Sequence, residues 1–440
     1  MTGFANRLVD GTPMWTGLAG IVIAIAVLWF ALNGRDWAPI VVIMTVPIQR
    51  SLLVSLDGRS VTWTQICLLA FLIGAACRFL NGQMSLRIDA PVSFFAITAG
   101  LMALSIVASP PLHAWARECY RWLTPLLFLV LARSFFRPQS VHRLGIALST
   151  LAVGMLAWAI AQVVSDTGPV SFARHGHIRV SGGFGEPNPF AAFAAFCGLL
   201  LIGLAGQSRR GLRRLLFGLG GGAAVATTLM TQSRGGTVAL VAGGAVLSLQ
   251  GLRFATPRVR YGVFGLAGMA TALLVVIVAL DRPWEVAQVQ VTTANWANRE
   301  RMAHWLAAIG MMLDHPGLGI GAGAFDDQFR TYTADWHFRI SRGHAHNAYL
   351  QVAAEAGAFA LVSYLAFLGS VVATLVVRVR ASDRSMIPLG VLAGTIGMAT
   401  HQMFDYLNVL SLGLLFAGAW AFALAPSEQD SKYRDRSRAN

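Results

Sequence analysis

Apolar positions along this chain come in blocks of about 16 to 24 residues, and within a block they cover every face instead of following a strand period. A hydrocarbon core takes ~20 residues of helix to cross, so each block predicts a membrane span. The blocks lie at 15–32, 38–56, 60–79, 91–108, 118–132, 141–164, 190–206, 214–231, 236–251, 261–280, 346–376, 386–403 and 407–425. Of these thirteen, 38–56 is the odd one, because Pro47, Gln49 and Arg50 interrupt it. A membrane β-barrel would show ~10-residue segments of alternating polarity, whereas 21–30 and 273–280 are apolar throughout. The expected fold class is an all-α polytopic membrane protein.

Charge orients the blocks. Arg209, Arg210, Arg213 and Arg214, then Arg253, Arg258 and Arg260, then Arg378, Arg380 and Arg384 fall on one side together with the basic tail, and the positive-inside rule makes that side cytoplasmic. The expected organisation is N-terminal helices over 1–164, a first outer loop at 165–189, central helices over 190–280, a large outer loop at 281–345, C-terminal helices over 346–425 and a cytoplasmic tail at 426–440. No small-residue cleavage site follows the first block, which reads as a retained helix. A loop of 65 residues among short connections points to function. Within it, 296–313 reads as an amphipathic helix, His315-Pro316-Gly317 stops it, and a turn rich in glycine (Gly317, Gly319, Gly321, Gly323) follows.

Composition agrees: 55% of residues are hydrophobic and 12% charged, which excludes an ordinary soluble enzyme. The net charge of +14 comes from 34 basic residues, all arginine except Lys432, against 20 acidic ones. Because the arginines lie between helices, they point to membrane topology, anionic lipid or a phosphate-bearing substrate, and not to nucleic acid. Cys67, Cys77, Cys119 and Cys197 lie in or at the ends of apolar blocks without short paired spacing, so neither a disulfide framework nor a cysteine metal site is expected.

The outward segments nonetheless hold Arg174, Arg179, Arg234, Arg282, Arg299, Arg301, Arg330, Arg339 and Arg342. Seven acids in the 281–345 loop can pair with its six arginines, which accounts for most of them. Arg234 resists that explanation, since Thr231-Gln232-Ser233-Arg234-Gly235-Gly236 is a very short connection between two apolar helices. Arg179 precedes a Gly/Pro-rich turn, 181–189, that carries Glu186 and Asn188 into the next span and would bring backbone N–H groups near a ligand. Guanidinium groups bind phosphate bidentately, so a cluster of them at the outer leaflet suggests a diphosphate.

His344-Ala345-His346-Asn347 ends the long loop, and Asn347 suits the N-cap of the helix that follows. His346 then stands at the positive end of a helix dipole, which disfavours imidazolium and suits a general base. Leu350 and Gly357 share its face, about 40° and about 20° from whole turns, and Gly357 would admit a close helix neighbour. Glu355 lies on the opposite face and reads as a structural acid. A capping or packing role for His346 is the alternative. A metal site is not expected, because His344 and His346 would point apart in a helix and no carboxylate or cysteine stands at ligand spacing.

These pieces, in this order, resemble the O-antigen ligase superfamily of membrane glycosyltransferases. The matching features are Gly-Phe-Gly-Glu-Pro-Asn at 183–188, Ser-Arg-Gly-Gly at 233–236, Arg301 four residues before Trp305, Asp314-His315-Pro316 with the glycines to Gly323, and His346-Asn347 with Leu350 and Gly357. The resemblance spans about residues 165–370 and implies a GT-C-type fold of twelve transmembrane helices, so 38–56 would merge or drop out. It further implies a cofactor-free, metal-independent, inverting reaction at the periplasmic face of the bacterial inner membrane. Glycan would pass from undecaprenyl diphosphate to a hydroxyl, in ligases one on the lipid A core. The resemblance maps the catalytic His/Arg set onto His346, Arg234 and Arg301. Arg179, Arg299, Asn188, Glu186, His344 and Asn347 are the expected substrate-binding residues. An O-antigen polymerase or a protein O-oligosaccharyltransferase of the same superfamily is the alternative. A lipid-linked glycan transporter would instead gather polar residues at mid-membrane.

Overall fold

The computed structural model describes residues 14–48, 51–56, 59–108, 110–137, 139–168, 178–208, 211–251, 296–333, 343–381 and 386–425. The blocks at 15–32 and 60–79 become α1 (Met14–Leu32) and α3 (Trp63–Leu80). Between them the 38–56 block is not a span. It is a short helix, α2 (Trp37–Thr45), followed by a two-stranded antiparallel hairpin, β1 (Ser51–Leu56) with β2 (Arg59–Thr62). The hairpin ends where Thr62 and Gln65 form a reciprocal capping box that starts α3.

Next come α4 (Ala90–Leu104), α5 (Leu112–Ala132) and α6 (Ser140–Val164). α5 begins six residues before the apolar block at 118–132, so buried Glu118 lies inside it. The central helices are α7 (Pro187–Gln207), α8 (Gly211–Met230) and α9 (Arg234–Gly251). The large loop contributes α10 (Trp296–Asp314), as expected, and a shorter α11 (Phe325–Tyr332). The chain then forms α12 (Ala348–Ala381), α13 (Met386–His401) and α14 (Leu412–Ala423). The expected span 261–280 and tail 426–440 lie outside the described residues, as do Arg174, Arg282, Arg339 and Arg342.

Five described helices are long and apolar enough to cross a bilayer: 63–80, 90–108, 140–164, 187–206 and 348–381. The protein is a multi-pass α-helical membrane protein. α7 is its central post, packed against α8, α9 and α13. Phe190, Phe193, Phe196 and Leu200 are buried along it. A Cβ on Gly203 would lie 2.7 Å from the Cα of Gly390, so α7 and α13 touch backbone to backbone through small residues.

α12 is broken. Gly357 stands at φ 82° and ψ 179°, a conformation essentially reserved for glycine. The neighbour it admits is a turn and not the helix that the sequence suggested. A Cβ there would lie 2.1 Å from the Gly317 carbonyl oxygen. The break frees backbone groups that the 316–321 turn satisfies: Ile320 N donates to Ala354 O (2.9 Å), Gly321 N to Glu355 O (3.1 Å) and Ala358 N to Pro316 O (2.9 Å). Interrupted helices are tolerated in membrane proteins where other protein groups replace the lost bonds in this way. Gly319, Gly321 and Gly323 all have positive φ, and they let the turn press against Glu355, Pro110 and Ala114 respectively. The turn and α10 are thereby fixed to α5 and α12, beside the residues considered next.

Candidate active site

His346 is the last residue but one before α12, and the cap forms as expected. The Asn347 carbonyl oxygen accepts from Tyr349 N (3.0 Å) and Leu350 N (3.1 Å), while its amide donates to Met403 O (3.1 Å). Both ends of the Asn347 side chain are therefore engaged by backbone. His346 itself has φ 51°, a left-handed conformation rare for a non-glycine residue and frequent at functional positions. Three contacts hold it: its N–H donates to His344 Nδ1 (3.2 Å), its carbonyl accepts from Trp305 Nε1 (3.4 Å), and its ring meets the His304 ring edge to face at 5.4 Å.

The decisive partner comes from the other end of the sequence. His346 Nδ1 lies 3.3 Å from Asp405 Oδ1, in the connection between α13 and α14. The same carboxylate accepts from Tyr406 N at Oδ1 (2.9 Å) and from the Asn188 amide at Oδ2 (2.7 Å). Burial alone would raise the Asp405 carboxyl, but the His346 hydrogen bond and the imidazoles of His344, His346 and His401 outweigh it and hold it well below the usual range. Asp405 is thus a buried anion aimed at His346. With Nδ1 directed to Asp405, Nε2 is the ring atom left to take a proton.

Asn188 links this pair to the first loop. Its carbonyl oxygen accepts from Arg179 Nη2 (3.2 Å) and Ser233 Oγ (2.9 Å) while its amide serves Asp405, so its orientation is fixed. Arg179 is buried and also donates from Nε to Thr231 O (3.0 Å), which ties the 181–189 turn to the head of α9. The backbone N–H groups of Ser181 and Gly182 go to the side-chain oxygen of Gln162 (3.2 and 2.8 Å). That corrects the expectation that they face a ligand: they brace the turn.

Arg234 is the first residue of α9 and is exposed, whereas Arg299 on α10 is buried. Arg301, on α10, is half-buried. Burial lowers its pKa, the Asp405 charge raises it and the Arg234 charge lowers it again, so the three groups lie within electrostatic reach of one another. A Cβ on Gly235 would sit 2.3 Å from His401 Cδ2; glycine here lets buried His401 pack beneath the head of α9. Glu186 is exposed, and its carboxyl is raised by burial of its surroundings and by Asp405, against Arg121 and His346.

The structure therefore brings His346, His344, Arg234, Arg301, Arg179, Asn188 and Glu186 to one place, around an acid that sequence reasoning missed. His344 and His346 do not point apart, because 343–347 is not helical: their rings are 4.4 Å between centroids. Burial, with a smaller contribution from its neighbour His346, lowers His344 to about 3 against the pull of Asp405, so it is a neutral imidazole. Ligand atoms of His344, His346 and Asp405 all lie within 4.8 Å of one another, the group among the described residues able to hold a metal. Glu355 is buried, as expected of a structural acid, while Tyr406 donates from its hydroxyl to Glu118 Oε2 (2.9 Å), which in turn pairs with Arg121. The signal for Asp405 was an Asp-Tyr pair in a short connection facing the same side as the large loop, where only arginines had drawn attention.

Chemically, an oriented imidazole backed by a buried carboxylate can accept a proton from a hydroxyl, and two cationic side chains beside it can neutralise a leaving anion. Residues 219–365 match the family model described as O-Antigen ligase, a stretch that holds Arg234, Arg299, Arg301, His344 and His346 but not Arg179, Asn188 or Asp405. No curated protein matches the chain.

Proposed function

Through residues 219–365 the chain belongs to the O-antigen ligase/polymerase superfamily, and from that premise we propose that it is an O-antigen ligase, an inverting glycosyltransferase of the bacterial inner membrane. It moves O-antigen glycan from undecaprenyl diphosphate to a hydroxyl of the lipid A core. The His346–Asp405 pair beside Arg234 and Arg301 carries this reading.

His346 Nε2 takes the proton of the acceptor hydroxyl while that oxygen attacks the anomeric carbon from the face opposite the diphosphate. The bond from the anomeric carbon to the diphosphate oxygen breaks, undecaprenyl diphosphate leaves with the electron pair, and the configuration inverts. Arg234 and Arg301 meet the departing charge, and no metal is needed where guanidinium groups do so. Asp405 is a positioning residue: it fixes the ring and stabilises the imidazolium that forms. Buried Arg179 and Arg299 shape the cationic wall, and Glu186 and His344 border the acceptor side. In this reading the architecture is GT-C-type with twelve spans, and the loops 165–189 and 281–345 face the periplasm, as do the ends of the helices that bear His346 and Arg234.

Deletion of the gene in its native host tests the reading on a lipopolysaccharide gel. Ligase function gives lipid A core without any O-antigen bands, restored by the wild-type gene and not by His346→Ala or Arg234→Ala variants present in the membrane at wild-type amounts. Core bearing a single repeat would make the protein a polymerase instead, and an unchanged pattern would point to a protein acceptor.

A further inference from the structure

We propose that His344, His346 and Asp405 also form a binding site for a zinc ion, and that zinc held there silences His346. Two imidazoles and one carboxylate, from the loop before α12 and the connection before α14, converge with their ligand atoms within 4.8 Å of one another. Zinc bonds of ~2.0–2.1 Å place neighbouring ligands of a tetrahedron ~3.3 Å apart. His346 Nδ1 and Asp405 Oδ1 already stand at 3.3 Å, long for a charge-assisted hydrogen bond and right for an edge of that tetrahedron. His344, whose ring lies 4.4 Å from that of His346, closes the third corner with a movement of about an ångström or two.

The surroundings resemble those that hold metal ligands elsewhere. The Asp405 carboxylate is oriented by Tyr406 N and by the Asn188 amide, while His344 Nδ1 accepts from the His346 backbone N–H, a bond that it gives up to ligate. The ligand set is imidazole-rich, which favours zinc over magnesium or calcium, cations that demand more oxygens. Three protein ligands leave one corner open to water. Arg301 acts on Asp405 and Arg121 on His344, and both oppose a dication, so the site binds more weakly than a four-ligand structural zinc site. Occupancy turns His346 Nδ1 from a donor toward Asp405 into a metal ligand and withdraws Asp405 from the ring, so the imidazole can no longer act as an oriented base.

Binding is tested on the purified full-length protein with zinc alone, in the absence of any glycan, by competition against a chromophoric chelator. The wild type should take up one zinc per chain, with magnesium and calcium inert at the same concentration. His344→Gln, which keeps the side chain polar and of similar reach, should weaken zinc at least tenfold, and Asp405→Asn likewise. The inhibition arm rests on the proposed transfer reaction: wild-type transfer should fall along the same zinc curve and return with EDTA. No zinc bound by the wild type, or equal affinity in His344→Gln, overturns the site. Zinc bound at His344 without any effect on transfer would leave the site standing and overturn the silencing of His346.

Discussion

Replacing Asp405 by Asn tests the least expected member of the site. The carboxylate receives three donors: His346 Nδ1 and Tyr406 N at Oδ1, and the Asn188 amide at Oδ2. An Asn keeps the shape but turns one oxygen into a donor. If the carbonyl stays at the Oδ1 position, the new NH2 confronts the Asn188 amide, and Asn188 cannot flip because its oxygen serves Arg179 and Ser233. If the amide faces the other way, the NH2 confronts His346 and Tyr406. Either arrangement breaks a buried hydrogen bond, at roughly 1–3 kcal/mol, and removes the anion that stabilises imidazolium, a charge-assisted bond of about 1.5–3 kcal/mol. If that second amount is lost only in the transition state, kcat should fall roughly tenfold to a hundredfold at about 1.4 kcal/mol per decade. The assay is transfer by purified protein at saturating donor, with Kd for undecaprenyl diphosphate measured in parallel. That Kd should stay within about twofold, because Asp405 contacts no part of the leaving group in this scheme. A folded, membrane-inserted variant with kcat close to wild type would refute the positioning role.

Two more outcomes follow from the same geometry. Glu186→Gln should bind undecaprenyl diphosphate severalfold more tightly at pH 7.5, since an exposed carboxylate within electrostatic reach of His346 and Asp405 adds negative charge beside the site. The gap to wild type should close as the pH is lowered, beginning above the range set by the ordinary glutamate value of 4.5, because the Glu186 carboxyl is raised and the wild type loses its charge early; equal Kd values at pH 7.5 would count against it. Gly357→Ala should lower the Tm of the purified protein markedly, because a Cβ would lie 2.1 Å from a backbone oxygen at φ 82°, whereas Gly369→Ala, with open space around it, should leave Tm unchanged.

Much of the helical layout was legible because apolar blocks report spans directly. The hairpin at 51–62 was not, since Leu52, Leu53 and Val54 simply continue an apolar run and the pairing that makes them strands depends on residues across the turn. Nor was the break in α12. The run from Ala348 is apolar enough to read as one helix, and what stabilises the break is a turn that the chain places about thirty residues earlier. In the site, His346, Arg234 and Asn188 carried local signals of cap, short charged connection and turn, and Arg301 stood four residues before Trp305 in the order that the resemblance implies. Asp405 carried only the signal of an acid in a short connection: its meaning lies in bonds to His346 and Asn188, separated from it by 59 and 217 residues. The same holds for His344, whose approach to His346 depends on a left-handed residue that a helical projection cannot represent.

The broken helix has a mechanical consequence. His346 rides on a stub of nine residues, 348–356, that is clamped to the 316–321 turn, while the rest of α12 continues as a separate rod. Membrane helices answer changes in bilayer thickness by tilting. Ala358 N on the rod donates to Pro316 O of the same turn that holds the stub through Ile320 N and Gly321 N, so a tilt of the rod is resisted at the joint by bonds on both sides of Gly357. The joint acts as a splint: one turn ties both halves of α12 and holds the stub that follows His346 at a fixed angle.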